Sequence, residues 1–157
     1  MKILVFSDSH RHNAKMEHVI GTQGEGVGCI LHLGDCCADA KLMSQVFPEY
    51  RFEWVRGNCD YSADPYDKLI AFCGKKIFIT HGHKYHVKLD YQRILYAALE
   101  RGADACFFGH SHYPAIFYEK GILFMNPGSI SEPRGTPLPS YGVAGISESG
   151  VEGKIVL

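Results

Sequence analysis

Five times along this chain a short apolar run breaks off into residues carrying oxygen or imidazole donors, and that pattern restricts the possible folds more than any other feature. Lys2–Ser7 leads into Asp8-Ser9-His10, Cys29–Leu33 into Gly34-Asp35, and Arg51–Val55 into Gly57-Asn58. Lys76–Thr80 leads into His81-Gly82-His83, and Ala105–Phe108 into Gly109-His110-Ser111-His112. Short apolar runs bounded by glycine read as buried strands. Donors placed just past the carboxyl ends of strands are where open α/β sheets build their sites.

The intervening segments fit that reading. Asn13 opens a helical stretch with Met16, Val19 and Ile20 on one face, ending near Gly24. Ala38–Phe47 reads as a short helix stopped by Pro48. Lys68–Cys73 and Lys76–Thr80 form a hairpin around Gly74. Val87–Arg101 carries Leu89, Ile94, Leu95, Ala98 and Leu99 at amphipathic spacing before Gly102. The runs Ala115–Tyr118, Ile122–Met125, Tyr141–Ile146 and Val151–Val156 are further short strands. A βαβ front half followed by a β-rich back half predicts one α/β domain over residues 1–157, with two mixed sheets packed face to face and helices outside.

Bulk properties exclude several functions. A formal net charge of −1 over 157 residues gives no global basic field, which argues against long nucleic acid as a partner. No apolar run approaches the ~20 residues of a membrane span. The chain enters a strand at once, without the regions of a signal peptide, and its six cysteines include no CxxC pair. A cytoplasmic protein with reduced thiols is the expectation.

The donors define a chemistry. Asp8, His10, Asp35, Asn58, His81, His110 and His112 mix hard oxygen with imidazole, the set suited to divalent ions such as Mn2+, Fe2+, Ni2+, Zn2+ or Mg2+. One arrangement puts Asp8, His10 and His112 on one ion, Asn58, His81 and His110 on another, and Asp35 between them. A hydroxide held between two such ions attacks phosphorus in line while the metals absorb charge. Each cluster alone is weak, since Gly-Asp and Gly-Asn more often mark turns. The ordered ensemble is the signal.

The series Asp8-Ser9-His10, Gly34-Asp35, Gly57-Asn58-Cys59-Asp60, Thr80-His81-Gly82-His83 and Gly109-His110-Ser111-His112 resembles the motifs of the calcineurin-like metallophosphoesterases over nearly the whole chain. The closest resemblance is to the small single-domain phosphodiesterases of bacteria and archaea, a branch that also resembles a metal-poor trafficking subunit of the retromer. It implies an αββα sandwich and a dinuclear site, frequently manganese, acting on a small phosphodiester rather than a monoester. It also places Asn126-Pro127-Gly128-Ser129 and Pro133-Arg134 in a loop near the site. The alternative is a protein-binding scaffold of the same fold without catalysis, expected to have lost donors that this chain keeps. Homo-oligomers remain open.

One departure stands out. Cys59 occupies the position where many members carry a histidine assigned to transition-state stabilisation or leaving-group protonation. A thiol is a weak donor and does not replace imidazolium. Around the donors, His83 is a candidate for substrate contact or proton donation, against a solvated loop histidine. Arg134 is the candidate phosphate clamp, and His12 a rim or helix-capping residue. Asp60 is a candidate for orienting a ligand from behind, and His32, His18 and His86 read as structural. Ser129 and Asn126 read as turn residues, and Cys36 and Cys37 as packing.

Overall fold

The computed structural model describes residues 1–157 and contains ten strands and three α-helices. In chain order they are β1 (Lys2–Phe6), α1 (Asn13–Gln23), β2 (Val27–His32), α2 (Cys37–Val46), β3 (Phe52–Trp54), β4 (Asp67–Phe72) and β5 (Lys75–Thr80). There follow α3 (Gln92–Glu100), β6 (Ala105–Phe107), β7 (Ala115–Glu119), β8 (Ile122–Asn126), β9 (Tyr141–Ser147) and β10 (Gly150–Val156). One sheet has the order β10-β9-β1-β2-β3, the other β4-β5-β6-β8-β7. Each is mixed, with three neighbouring strands parallel: β1, β2 and the edge strand β3 in the first, and the central β5, β6 and β8 in the second.

The continuous apolar runs are explained by what covers each face. In β1, Ile3 and Val5 point into the layer between the sheets, where Leu31, Val55, Ile77, Ile79, Phe107 and Met125 also pack. Leu4 and Phe6 point the other way, onto Met16 and Ile20 of α1 and Met43 of α2. The second sheet repeats this: Ala105 and Phe107 face inward, while Cys106 and Phe108 meet Ile94, Ala97 and Ala98 of α3. Side chains alternate across a strand, so a strand covered on both faces must be apolar at every position. The result is the expected αββα sandwich.

One boundary differs. The expected helix from Val87 begins only at Gln92, and Leu89, assigned to its apolar face, is 82% exposed. A 3-10 turn at His83–Tyr85 ends in His86 with a left-handed φ of 54°, and the chain turns again before Asp90 accepts from the Gln92 N–H at 2.9 Å. That Asp90 contact satisfies an early orphan donor of α3 and fixes its start. No helix is long and apolar enough to cross a membrane.

Candidate metal centre

All five donor clusters lie on loops leaving the carboxyl ends of β1, β2, β3, β5 and β6, and the two sheets bring these ends to one edge of the sandwich. The Asp8 N–H donates to Gly34 O at 3.0 Å and the His10 N–H to Asp35 O at 3.2 Å, tying the first loop to the second. The Gly109 N–H reaches His81 O at 3.0 Å, which joins the last two. Glycine is required where these loops touch: a Cβ on Gly57 would strike Asp35 Oδ1, and one on Gly109 would strike Ser7 Oγ.

The backbone is strained where the donors sit. Asp8, His10, Asp35, His110 and His112 all have left-handed φ, between 45° and 69°. A non-glycine residue there costs on the order of 1–3 kcal/mol and persists only when its surroundings hold it. The surroundings do so densely. Ser129 Oγ and Ser131 Oγ both donate to Asp8 O, at 2.7 and 2.9 Å. The Asn126 amide donates to Gly109 O and Ser111 Oγ, both at 2.9 Å. Asp60 accepts from the N–H groups of Asp35, Gly57 and Cys37 at 3.0, 2.8 and 2.7 Å, so it orients Asp35 through the backbone.

The donor atoms converge in three overlapping groups: Asp8 with His10 and His112, Asp35 with His81 and His110, and His10 with Asp35 and Cys59. Within each, the ligand atoms lie within 4.8 Å of one another. Asp35 thus belongs to two of the three groups, and so does His10. Asn58 joins through Oδ1, 3.2 Å from His81 Nε2.

Two backbone carbonyls settle which ring nitrogens face the centre. Leu33 O lies 2.8 Å from His81 Nδ1 and Glu132 O lies 2.7 Å from His112 Nδ1. A carbonyl only accepts, so each Nδ1 carries the proton and each Nε2 turns inward. His81 Nε2 then stands 3.3 Å from Asp35 Oδ2, and His112 Nε2 stands 3.2 Å from Asp8 Oδ1 and 3.3 Å from His10 Nε2. With neutral rings, lone pairs face lone pairs there, an opposition that a proton on Nε2 or a cation between the groups relieves. Asp8 Oδ1 is fully buried and has no hydrogen-bond partner, whereas Oδ2 accepts from Ser7 Oγ at 2.6 Å and His110 N–H at 3.1 Å. An orphaned carboxylate oxygen among inward imidazole nitrogens fits a divalent ion.

The titration behaviour has the same cause. Burial pushes the Asp8 carboxyl up, but the close His112 ring and the charges that His81 and His112 carry when protonated outweigh it and hold the group below its ordinary value. Asp35 is likewise held low: burial opposes this, and the hydrogen bond and charge of His81 prevail. His81 and His112 are raised, because the carboxylates overcome the burial that would lower them. His110, affected mainly by burial and then by His81, falls to about 4.

Of the remaining candidates, His83 packs its ring against His81 and His110, at 5.4 and 6.0 Å between centroids, and its Nδ1 is buried without a partner. Arg134 is exposed and its N–H donates to His112 O at 3.2 Å; the residue lines a hollow of about 330 Å³ with Lys88 and Tyr113. His12 takes the N-cap position of α1 without a side-chain cap bond and lines a second hollow, of about 460 Å³, with Arg11 and Lys15. Cys59 is exposed, and burial together with the Asp35 charge raises its thiol to about 11. His32 is structural, as expected, but its role was not foreseen. Fully buried, it accepts from the Gly34 N–H at 3.2 Å and pairs with Ser9 Oγ at 2.9 Å. Ser9 in turn donates to Asp39 Oδ2 at 2.6 Å, and the Arg11 N–H reaches the same oxygen at 2.8 Å. Asp39 carried no sequence signal beyond an acidic residue in the first turn of a helix.

A fold of two mixed sheets with these donors at one edge is that of a phosphoesterase. A family model described as the calcineurin-like phosphoesterase superfamily domain matches residues 1–149, and the chain belongs to that family. It is 34% identical over 144 residues to the probable metallophosphoesterase YsnB of Bacillus subtilis, covering 91% of this chain and 83% of that one. It is 31% identical over 167 residues to the phosphodiesterase YfcE of Escherichia coli K12, covering 91% and 86%. Among solved structures, a predicted phosphoesterase from Streptococcus pneumoniae superposes with a TM-score of 0.84 at 33% identity, over 99% of this chain and 88% of that one. Vps29 of Entamoeba histolytica, solved with Zn2+, shares the fold at a TM-score of 0.78 and 22% identity, over 99% and 98%.

Proposed function

We propose that this chain hydrolyses a small phosphodiester at two divalent ions, most readily Mn2+, held by Asp8, His10 and His112 on one side and Asn58, His81 and His110 on the other, with Asp35 between. The observation that carries the reading is the unpartnered Asp8 Oδ1 among inward ring nitrogens. Ions bound there would supply charge against the phosphoryl oxygens and an acidified water as nucleophile. The protein's own part is to keep these donors oriented: carbonyl contacts to His81 and His112 set their tautomers, and the serine contacts to Asp8 O hold the strained loop. His83, beside His81 and His110 with its Nδ1 buried and unpartnered, stands as a substrate contact or proton donor; burial and the His81 charge push it below its ordinary value.

Arg134 and His12, each lining its own hollow, are the proposed substrate contacts. A diester is favoured over a monoester because the chain is 31% identical to YfcE. A binding scaffold finds support only in the likeness to Vps29, which shows the fold alone. The test is turnover of bis(p-nitrophenyl) phosphate by Mn2+-loaded protein. Chelation should abolish it and Mn2+ restore it, and Asp35→Asn and His81→Ala should each lower it by at least ~10²-fold with the fold retained, beyond what loss of an outer partner costs. Full activity in metal-free protein would defeat the reading.

A further inference from the structure

Cys59 places sulfur among the oxygen and nitrogen donors. Its Sγ, a ring nitrogen of His10 and a carboxylate oxygen of Asp35 lie within 4.8 Å of one another. His10 belongs also to the group with Asp8 and His112, and Asp35 to the group with His81 and His110, so the thiol meets the Asp8 side through His10 and the other side only through the carboxylate the two halves have in common. The Cys59 N–H donates to Asp35 Oδ1 at 2.9 Å, fixing its backbone on the shared carboxylate, and its thiol is in no disulfide. An independent feature points to an ion beside His10: Asp8, 0% exposed and grouped with His10 and His112, keeps Oδ1 without a hydrogen-bond partner. The other side, Asp35 with His81 and His110, contains no sulfur.

Carboxylate, imidazole and thiol together suit Zn2+ or Co2+ better than Mn2+, because soft thiolate selects the softer ion. We propose that Cys59 is a thiolate ligand to the ion of the Asp8–His10–His112 group, so that the two halves of the centre differ in metal preference. This rests on the metal-centre reading above. On binding, the S–H bond is exchanged for a sulfur–metal bond and the proton passes to solvent, with no change of oxidation state. The residue in the family's acid position is then a metal ligand. No other cysteine is placed to substitute: Cys37 is buried with its thiol on Val55 O at 3.3 Å, Cys29 and Cys106 are in the core, and Cys36 and Cys73 enter no donor group.

The test is a titration of the metal-free full chain with Co2+, reading sulfur-to-cobalt charge-transfer absorption in the near ultraviolet beside bound metal by equilibrium dialysis. Wild type is expected to develop the band, Cys59→Ser to bind Co2+ without it, and Cys36→Ser and Cys73→Ser to keep it. Zn2+ affinity should fall by ~10-fold or more in Cys59→Ser, at the scale of a lost ligand partner, with Mn2+ affinity less affected. A wild-type protein that binds Co2+ without the band, or a band that survives Cys59→Ser, overturns thiolate ligation while the hydrolase reading stands. Absence of any Co2+ binding overturns both.

Discussion

Replacing Asp39 by alanine removes a residue that touches no donor atom, yet it should weaken the metal centre. Asp39 is 4% exposed. Its Oδ2 accepts from Ser9 Oγ and the Arg11 N–H, and the Asn13 amide, turned to donate, reaches Oδ1 and Oδ2 at 2.9 and 3.2 Å. Ser9 is fully buried between Asp8 and His10, so its hydroxyl has no water to fall back on. A hydrogen bond to a charged acceptor is worth about 1.5–3 kcal/mol, and the donors of exposed Arg11 and half-buried Asn13 recover much of theirs from solvent, which sets the loss at roughly 2–4 kcal/mol. At about 2–4 °C per kcal/mol for a chain of this size, the metal-free protein should melt roughly 5–15 °C lower.

The functional consequence follows from the strained loop. Asp8, His10 and Arg11 stand at φ of 54°, 45° and 68°, and the Ser9–Asp39 contact is one of the bonds that keep them there. Freed of it, the loop can relax toward ordinary backbone and turn His10 away, so Mn2+ affinity should fall by about 10–100-fold, the usual effect of losing a partner behind a ligand. Calorimetric melting of metal-free protein and isothermal titration with Mn2+ measure the two effects separately. Asp39→Asn, which keeps one acceptor for Ser9, should fall between wild type and Asp39→Ala on both. A lowered melting point with unchanged Mn2+ affinity would refute the positioning argument, and a melting point within about 2 °C of wild type would refute the energetic one.

Further outcomes are expected. The wild type should cleave aryl diesters, whose leaving groups depart without a proton, far better than alkyl ones, and Cys59→His should narrow the gap by as much as the ~10²–10⁴-fold that an acid supplies; equal wild-type rates on both would count against this. His32 is fully buried and lowered by burial to about 4, below the unfolded value of 6.5. The unfolded chain therefore binds a proton first as pH falls, and stability from this group, on the order of 3 kcal/mol, is present above pH ~6.5 and lost toward pH ~4. His32→Gln should flatten that acid limb in melting-point-against-pH curves of metal-free protein, and an unchanged slope would contradict it. Gly109→Ala forces a methyl into Ser7 Oγ and toward Asp8 Oδ2 at 2.9 Å, and should lower metal affinity measurably by isothermal titration.

What the sequence revealed and what it hid divide along a physical line. Strands were legible because β1 and β6 are covered on both faces, which forces continuous apolar runs, and the donors were legible because they stand in the first residues past those runs. The start of α3 was not: Leu89 has helical spacing, but left-handed His86 and the Asp90 contact decide the boundary, and both depend on how the His83–Tyr85 turn packs. Left-handed backbone at His10 or His112 was equally hidden. Asp and Asn tolerate that conformation locally, whereas here it is imposed by partners 20 to 121 residues away, such as Glu132 on His112 and Ser129 on Asp8. Asp39 and Ser9, 30 residues apart, read in sequence as an ordinary helical acid and a loop serine. Cys59 shows the same limit. In sequence it is only the absence of an acid, and its grouping with His10 and Asp35 exists because the loops after β1, β2 and β3 are folded over one another. Donors belong to the chain, but whether a donor is a ligand, an acid or a brace is a property of the loop packing, and packing is what substitution at Asp39 perturbs without touching a single donor.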